Sequence, residues 1–296
     1  MNPKVYIIIL NWNGFSDTAE CLKSLQSITY TNFKVLVVDN YSKNNEAKAL
    51  QDRFGNFIEV IKNSQNYGFA KGNNIGIQRA LAENADLILL LNNDTVVKSD
   101  FLSILVETSQ KDKIGIVGPA IYLYNSYNIS SIGGNVKWFS KFIINHVTEP
   151  INEVKEFLFL TGCCLLIKKE IFKNIGLLDE SFFFYYEDAD FCLRTVKAGY
   201  KITVNPQSVI WHKISRTVKS ESEKYHYYTN RNKLLFTKKN APFLIFLYHY
   251  FRAWLSLAYI GLHLSIEKDP NQIIRLKAVR NGIKDFQKGK FYENSN

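Results

Sequence analysis

The run Leu87-Ile88-Leu89-Leu90-Leu91-Asn92-Asn93-Asp94 decides the fold, because a stretch of consecutive apolar residues ends abruptly in three polar ones. A short apolar run that does not alternate with polar residues is typical of a strand buried on both faces of a sheet. In parallel sheets covered by helices, ligands bind at the carboxyl ends of such strands. The run therefore predicts a central parallel strand that places Asp94 at a ligand-binding edge.

Three further short apolar runs precede this strand, and we predict them to be its parallel neighbours: Val5–Leu10, Val35–Val38 and Ile58–Ile61. Helix-like stretches separate the four strands, and they cover Asp17–Ser27, Asn44–Arg53 and Asn73–Asn84. Alternation of strand and helix is the pattern of right-handed βαβ crossovers. The first third of the chain is therefore predicted to form a doubly wound α/β sheet.

The remainder of the chain is more mixed. A helix is predicted near Asp100–Gln110, and the Tyr-, Asn-, Ser- and Gly-rich residues 122–140 are expected to be an insertion or loop. Order returns with Phe157–Lys168, with a helix that begins near Glu187 and ends at Gly199, and with a last strand over Lys201–Val204. Beyond His212 the composition becomes aromatic and basic, which indicates a C-terminal extension.

Composition narrows the class of partner. The net charge of +10 implies an anionic partner, and nucleic acid, a phosphate-bearing substrate and an anionic membrane surface are all compatible with it. We expect no nucleic-acid partner, because no motif for one is present. The cysteines are expected to be reduced and not to bind zinc: Cys21, Cys163, Cys164 and Cys192. No signal-peptide pattern precedes Asn11–Gly14, so a cytoplasmic protein is expected.

One long apolar stretch, Phe243–Leu264, is interrupted by His249, Arg252 and His263. A charge near its middle argues against a membrane-spanning helix. A helix that lies in the membrane interface or packs on the α/β domain fits the mixture of aromatic and basic residues better.

Polar residues follow the predicted strands. Asp39 ends the second strand, where such folds hydrogen-bond a ribose or base, although an Asx turn would also place an aspartate there. The Gly- and Asn-rich loop Asn66–Gly76 leads into a helix, and its backbone N–H groups with Lys71 could bind phosphate; a ligand-free loop is the alternative. Asp94 could supply an oxygen ligand to a divalent cation or could simply form a turn.

A second acidic segment lies far along the chain. Aromatic residues 182–186 lead directly into Glu187, Asp188 and Asp190. Glu187 and Asp190 are equally well explained as helix caps. Asp188 lies beside aromatic surface and like charges, which raise a carboxyl pKa toward the range of a general base. His212 follows a strand and, as a lone histidine, has a structural alternative.

Four motifs together resemble those of family 2 glycosyltransferases, in particular the bacterial rhamnosyltransferase-like branch. They are Val-Asp-Asn-x-Ser at 38–42, Asn-x-Gly-Phe-Ala-x-Gly-Asn-Asn-x-Gly at 66–76, Leu-Asn-Asn-Asp at 91–94 and Glu-Asp-x-Asp at 187–190. The resemblance spans residues 4 to about 232. It implies a GT-A fold, with a mostly parallel central sheet flanked by helices over residues 1–215. Residues 1–98 would be the nucleotide-binding half, 99–215 the acceptor half, and 216–296 a helical C-terminal extension.

The resemblance also implies roles for residues at matching positions. The donor would be bound by Leu10, Asn11, Trp12, Asp39, Asn66, Gly68, Lys71, Asn73, Asn92, Asn93 and Arg231. A Mn²⁺ or Mg²⁺ ion would be held by Asp94 and His212. Glu187 and Asp188 match the family's acidic pair, whose second member is the base. One departure is that Asn92 stands where the family usually has a first acid, so the metal would depend more on Asp94 and the donor phosphates.

The function implied is inverting transfer of a sugar from a dTDP- or UDP-sugar, with rhamnose as first guess. The acceptor would be a hydroxyl of a lipid-linked or growing surface polysaccharide, and the enzyme would be peripheral on the inner face of the plasma membrane. Two alternatives stay open. A sugar-nucleotide pyrophosphorylase should carry a Gly-rich basic loop in place of Asn11–Gly14, and a decayed carbohydrate- or membrane-binding module would bind nucleotide without turnover.

Overall fold

The computed structural model describes residues 2–140, 143–213, 222–266 and 270–291. Twelve strands are present in this part of the chain: β1 Val5–Asn11, β2 Phe33–Asp39, β3 Ile58–Lys62, β4 Leu87–Asn92, β5 Thr95–Val97, β6 Ile114–Leu123, β7 Ile129–Ser131, β8 Gly134–Val136, β9 Ile144–His146, β10 Lys155–Glu156, β11 Cys164–Lys168 and β12 Lys201–His212. Nine α-helices accompany them within the same ranges: α1 Phe15–Leu25, α2 Glu46–Phe54, α3 Gly68–Ala82, α4 Phe101–Ser109, α5 Lys169–Ile175, α6 Glu187–Lys197, α7 Glu223–Asn240, α8 Phe243–Ile266 and α9 Pro270–Gln287.

The central sheet has the strand order β10-β12-β6-β11-β4-β1-β2-β3. The four strands predicted first are parallel neighbours, because β1 pairs in parallel with β4 and β2, and β2 pairs in parallel with β3. The register aligns their carboxyl ends: Leu10 lies opposite Asn92, and Asn11 lies opposite Asp39. β11 is antiparallel to both of its neighbours. The predicted α/β class with a mostly parallel sheet flanked by helices is confirmed.

Side chains of the central strands point alternately into two hydrophobic layers, which explains why the apolar runs do not alternate with polar residues. Ile8 and Leu90 belong to the layer shared with α3, whereas Ile7 and Leu89 belong to the layer shared with α1 and α4. All four side chains are essentially inaccessible to solvent. Full burial of each such side chain contributes about 1.5–3 kcal/mol, so both faces of the sheet stabilise the edge where the polar strand ends lie.

Several predicted element boundaries are wrong. Helix α3 begins at Gly68 and not at Asn73, so much of the segment predicted to be a loop is helical. Strand β12 continues to His212, past the predicted end at Val204, because it pairs with β6 and β5 along its second half. The segment 122–140, expected to be an insertion or loop, contains the short strands β7 and β8. Within Phe157–Lys168, where order was expected, Cys164–Lys168 forms β11.

The C-terminal helices pack into the same core as the sheet. Leu234 of α7 and Ile283 of α9 belong to the hydrophobic layer that contains Ile8 and Leu90. The boundary predicted between residues 215 and 216 lies outside the described residues. Within the part of the chain described here, one stretch, Phe243–Leu262 of α8, is long and apolar enough to cross a membrane by length and composition alone.

Candidate active site

The ends of β4 and β12 meet at the carboxyl edge of the sheet. Residues Asn92–Asp94 turn from β4 into β5, and the antiparallel pairing of β5 with β12 sets Thr95 opposite His212. As a result, Asp94 Oδ1 lies 3.0 Å from His212 Nε2. The backbone N–H of Lys213 donates to the Asp94 carbonyl at 3.0 Å, which ties the two strand ends together. Sheet pairing thus joins two side chains that are far apart in sequence.

The environment of this pair favours a positive charge. Burial opposes protonation of His212, but the adjacent Cys163 sulfur and the Asp94 carboxylate outweigh it and raise the pKa of His212. Nearby, the Lys213 ammonium contacts Asp17 and Glu20 at 2.6 Å each, which anchors the end of β12 to α1. A metal ion would replace the shared proton between His212 and Asp94, because a histidine ligand must be neutral.

A cleft with about 970 Å³ of empty space, open solvent included, lies over this edge. Its walls come from the ends of β1, β2 and β4, the start of α3, the turn before α6 and the first part of α7. The residues lining it are Leu10, Trp12, Asn40, Asn66, Gly68, Phe69, Asn92, Asn93, Asp94, Phe183, Phe184, His212, Lys224 and Tyr228. Eight of the residues proposed from sequence are in this lining: Leu10, Trp12, Asn66, Gly68, Asn92, Asn93, Asp94 and His212.

Asn11 and Asp39 lie beneath the cleft wall. Both side chains are buried, and Asn11 Nδ2 donates to Asp39 Oδ1 at 2.9 Å. Asp39 Oδ2 also accepts from the backbone N–H of Ser42 at 3.1 Å, three residues on, which is one residue beyond the span of the Asx turn that the sequence left open. In the structure, these two side chains hold the ends of β1 and β2 in register under Leu10 and Trp12.

Asn40 connects the second strand to the loop before α3. Its Nδ2 donates to Asn66 Oδ1 at 2.9 Å and to the Gly68 carbonyl at 3.1 Å, and its Oδ1 accepts from Tyr67 N at 3.0 Å. Sequence reasoning did not select Asn40, although its place directly after Asp39 at a strand end was a usable signal. These hydrogen bonds of Asn40 fix the loop that forms one wall of the cleft.

Gly68, at the start of α3, lies close to Phe183 in the turn before α6. Its φ is +78°, and a Cβ at this position would lie 2.4 Å from the Phe183 carbonyl oxygen. The next residue, Phe69, donates its backbone N–H to that same oxygen at 2.7 Å. Only glycine satisfies both the left-handed backbone and the contact.

Two residues proposed for the donor site point elsewhere. The Lys71 ammonium lies 4.6 Å from the centre of the Tyr67 ring and 4.0 Å from Glu180 Oε2, outside the described lining. Asn73 is buried and donates to the Phe69 carbonyl at 2.9 Å, one turn earlier in α3. Their roles in donor binding stay predictions.

The acidic pair begins α6 after a strained turn. Tyr185 and Tyr186 both have positive φ, of 73° and 74°, a conformation that bulky residues rarely adopt. Asn232 of α7 holds the turn, because its Nδ2 donates to the carbonyls of Phe184 and Tyr185 at 2.8 and 2.9 Å. Such strain persists only where the surroundings fix it, and it clusters at functional sites.

The two carboxyl groups differ in their surroundings. Asp188 Oδ2 accepts from Gly162 N at 2.8 Å and Oδ1 from Ala189 N at 2.8 Å, yet burial raises the pKa of Asp188. Burial, aided by the charge of Asp188, raises the pKa of Glu187 well above its ordinary value. Glu187 Oε2 is buried and has no hydrogen-bond partner among the described residues. Glu187 is therefore held neutral more strongly than Asp188.

Asp188 lies just behind the described lining of the cleft. Its backbone partner Gly162 precedes Cys163, the residue that influences His212, and the Cys163 carbonyl accepts from Asn92 N at 2.9 Å. A Cβ on Gly162 would contact Asp188 and the Phe69 ring at 3.4 Å each. One short segment thus connects the acidic pair to the metal-site pair.

Helix α7 contributes residues that sequence reasoning missed. Lys224 and Tyr228 line the cleft, and the Tyr228 ring stacks on Phe183 with centroids 5.3 Å apart. Arg231, predicted to meet the donor, is fully buried one turn further along, and its Nη1 and Nη2 have no hydrogen-bond partner among the described residues. No motif marked Lys224 or Tyr228 in the sequence.

The residues present can hold a divalent cation only if a bound substrate supplies further metal ligands. Asp94 and His212 offer one oxygen and one nitrogen ligand, and the described residues contain no group of three or more His, Cys, Asp or Glu side chains that could hold a metal. Cations such as Mg²⁺ commonly take one or two carboxylates and complete their shell with waters and substrate phosphates. The donor set fits that arrangement.

Comparison with known proteins agrees with the geometry. The family model described as Glycosyl transferase family 2 matches residues 6–176. The chain is 27% identical over 262 residues to a protein of Shigella flexneri named dTDP-rhamnosyl transferase RfbF, covering 83% of this chain and 84% of that protein. It is 29% identical over 199 residues to the low-salt glycan biosynthesis hexosyltransferase Agl10 of Haloferax volcanii, covering 66% and 62% of the two chains.

A solved structure shares the fold. The mannosyltransferase PcManGT from Pyrobaculum calidifontis, in complex with GDP-Man and Mn²⁺, superimposes with a TM-score of 0.63 at 13% identity. The match covers 98% of this chain and 88% of that one. At this identity the likeness establishes the GT-A architecture, including the helical region that follows the sheet.

Proposed function

The chain belongs to glycosyltransferase family 2, and we propose that this glycosyltransferase moves a sugar from a nucleoside-diphosphate donor to a hydroxyl acceptor with inversion at the anomeric carbon. One observation carries the proposal: Asp94 and His212 meet at 3.0 Å where strand ends β4 and β12 open into the cleft. This is the edge at which α/β sheets bind nucleotides.

The nucleotide would enter between the strand ends and α3. Leu10 and Trp12 offer apolar surface for a base, while Asn66, held in place by Asn40, offers an amide group within the same wall. Lys224 of α7 brings a positive charge to the cleft, which would favour a diphosphate. Apolar walls combined with polar groups that can fix a ligand's orientation are typical of small-molecule sites.

Asp94 and His212 would hold a Mn²⁺ or Mg²⁺ ion together with the donor phosphates. When bound, such an ion neutralises the negative charge that develops on the departing diphosphate. Because position 92 is Asn and not an acid, Asp94 is the one carboxylate that Asn92–Asp94 offers to the metal. The affinity for metal would therefore depend strongly on the nucleotide. Mn²⁺ bound to the structural neighbour PcManGT supports a divalent cation.

Asp188 would take the proton from the acceptor hydroxyl. A raised pKa makes its carboxylate a stronger base than an ordinary aspartate, and two backbone N–H groups fix its orientation. Glu187, held neutral by burial, would not compete for that proton. Direct displacement also requires the acceptor oxygen in line with the leaving phosphate oxygen, on the side opposite the diphosphate.

The donor and acceptor are proposed from similarity. Resemblance at 27% identity to a dTDP-rhamnosyl transferase supports a dTDP- or UDP-sugar, with rhamnose first. The acceptor would be a lipid-linked or growing surface polysaccharide, assembled by a cytoplasmic enzyme on the inner face of the plasma membrane. A pyrophosphorylase is disfavoured, because the chain belongs to glycosyltransferase family 2.

A panel of nucleotide-sugars tests the proposal. Purified protein is incubated with dTDP-, UDP- and GDP-sugars, with Mn²⁺, Mg²⁺ or EDTA, and release of nucleoside diphosphate and protection against thermal unfolding are measured. We expect one nucleotide class to protect and to turn over only with metal. Protection without turnover toward any acceptor would favour the decayed binding module, and no protection by any nucleotide would refute the proposal.

Asp188→Asn tests the base separately. The substitution keeps the shape of the side chain and one of its two backbone hydrogen bonds, because the amide nitrogen cannot accept the other, and it removes the basic group. Transfer should fall by at least about 10²–10⁴-fold, the usual contribution of a general base, while nucleotide affinity is unchanged. Loss of nucleotide affinity would show that Asp188 is a structural cap of α6.

A further inference from the structure

Helix α8 has a packed side and an open side that recur with helical spacing. Phe246, Tyr250, Ala253 and Leu257 pack against the main hydrophobic layer. The Phe246 ring lies 6.0 Å from Phe286 of α9, and the Tyr250 hydroxyl accepts from Gln287 Nε2 at 2.6 Å. Spacing of three or four residues places all these side chains on one face of the helix.

The opposite side of α8 is apolar and exposed to solvent. Leu244, Tyr248, Phe251 and Leu255 follow one another at the same helical spacing, and their exposed fractions are 76%, 39%, 60% and 69%. Phe139, 71% exposed, extends this surface because its ring lies 5.8 Å from that of Tyr248. Large contiguous apolar patches on a protein surface mark contact with a partner or a membrane.

Basic residues lie on α8 and on α9, the helix that packs against it. Arg252 is the only Asp, Glu, Lys or Arg in residues 243–266, and it contacts the Tyr248 hydroxyl through Nη1 at 2.9 Å. The solvent-facing side of α9 carries Lys277, Arg280 and Lys284. Between residues 270 and 291 the sequence has six basic residues and one acidic residue. An apolar face with aromatic residues beside a basic surface is the composition of helices that lie on anionic bilayers.

We propose that the apolar face of α8, formed by Leu244, Tyr248, Phe251 and Leu255, lies in the interface of an anionic lipid bilayer, with the basic side of α9 contacting the headgroups. The opposite face of α8 is occupied by the protein core, so the helix lies on the membrane and does not cross it. Membrane contact would bring the cleft close to a lipid-linked acceptor, and only this role of the contact rests on the proposed function.

Vesicle sedimentation of the full chain tests the surface. Vesicles contain either phosphatidylcholine alone or phosphatidylcholine with phosphatidylglycerol, and the wild type is expected to bind the anionic vesicles more tightly. Phe251→Glu and Leu255→Glu should each lower the partition coefficient by at least about tenfold, since burial of one large apolar side chain is worth about that factor. Replacement of Lys277, Arg280 and Lys284 by Gln should remove the preference for anionic vesicles.

Tyr127→Glu is the matched control, because Tyr127 is 99% exposed on a loop of the sheet domain and the substitution adds the same charge. It should bind vesicles like the wild type. Nucleotide protection, measured on every variant, should be unchanged and separates failure of this surface from failure of the proposed function. Equal binding by wild type and Phe251→Glu would overturn the inference. So would a stable dimer that Phe251→Glu disperses, or resistance of the bound protein to alkaline carbonate extraction.

Discussion

Substitution of Gly68 by alanine tests how the start of α3 is joined to the turn before α6 at the cleft. Gly68 has φ +78°, and an added Cβ would lie 2.4 Å from the Phe183 carbonyl oxygen and 2.6 Å from its ring. Those atoms must separate by about 0.6 Å to reach the 3.0 Å that real Cβ contacts respect. The carbonyl is the one that accepts from Phe69 N, so the separation also strains that hydrogen bond.

Two costs of Gly68→Ala can be estimated separately. A left-handed conformation for a residue with a Cβ costs about 1–2 kcal/mol, and overpacking at a close contact costs about 1–3 kcal/mol. Gly199→Ala isolates the first cost, because Gly199 has φ +87° and open space within 4 Å of its Cβ position. Gly68→Ala should therefore lower the free energy of unfolding by about 2–5 kcal/mol and Gly199→Ala by about 1–2 kcal/mol.

Urea denaturation of the two variants measures these differences, and nucleotide titration measures the effect on the cleft. Gly68→Ala should also weaken nucleotide binding, because Gly68 and Phe183 both line the cleft, whereas Gly199→Ala should leave it unchanged. Equal destabilisation by the two substitutions, or normal nucleotide affinity in Gly68→Ala, would refute the reasoning that this contact shapes the donor site.

Three other substitutions have defined outcomes. Glu187→Gln should stabilise the protein at pH 8 but not at pH 4. Folding raises the pKa of Glu187, so wild-type stability falls by about 1.4 kcal/mol per pH unit as the pH rises from about 4.3 through the folded pKa. Urea denaturation at both pH values checks this, and a stability difference that does not change with pH would contradict it. Arg231→Met should raise the melting temperature without nucleotide, because the buried Nη1 and Nη2 have no hydrogen-bond partner among the described residues. It should also lower nucleotide affinity, because Arg231 is predicted to meet the donor. Thermal unfolding with and without nucleotide measures both effects, and a less stable variant of normal affinity would make Arg231 purely structural. Lys224→Met should weaken nucleotide binding about tenfold, less at high salt because exposed charges are screened; isothermal titration at two salt concentrations tests this, and an unchanged affinity would remove Lys224 from the site.

The first half of the fold could be predicted because its signals are local. The apolar runs of β1, β2 and β4 and the polar residues after them need only the rule that parallel strands end at one edge. Asp94 and His212 were chosen separately, one from its strand end and the other mainly from family resemblance. Their contact follows from the pairing of β12 with β5, and β5 has only three residues, too few for propensity to identify it.

What could not be predicted depends on tertiary contacts. Lys224 and Tyr228 reach the cleft only because α7 packs against the turn at Phe183, and nothing in their own segment marks that contact. The early start of α3 at Gly68 was missed because Gly and Asn are ordinary loop residues. Asp39 and Asn11 were assigned to the ligand, but their hydrogen bonds to each other show that they also hold the strand ends. The outer face of α8 is apolar although it is exposed, so sequence alone could not distinguish it from core.

Binding of nucleoside diphosphate with and without Mn²⁺ to wild type and Asp94→Asn tests the central claim most directly. The claim is that Asp94, with His212, holds the donor diphosphate through a cation at the end of β4. Isothermal titration with dTDP and UDP should show tight binding by wild type only in the presence of Mn²⁺, with EDTA or Asp94→Asn reducing affinity to the same low level. Equal affinity of wild type and Asp94→Asn in Mn²⁺, or no loss with EDTA, would contradict it.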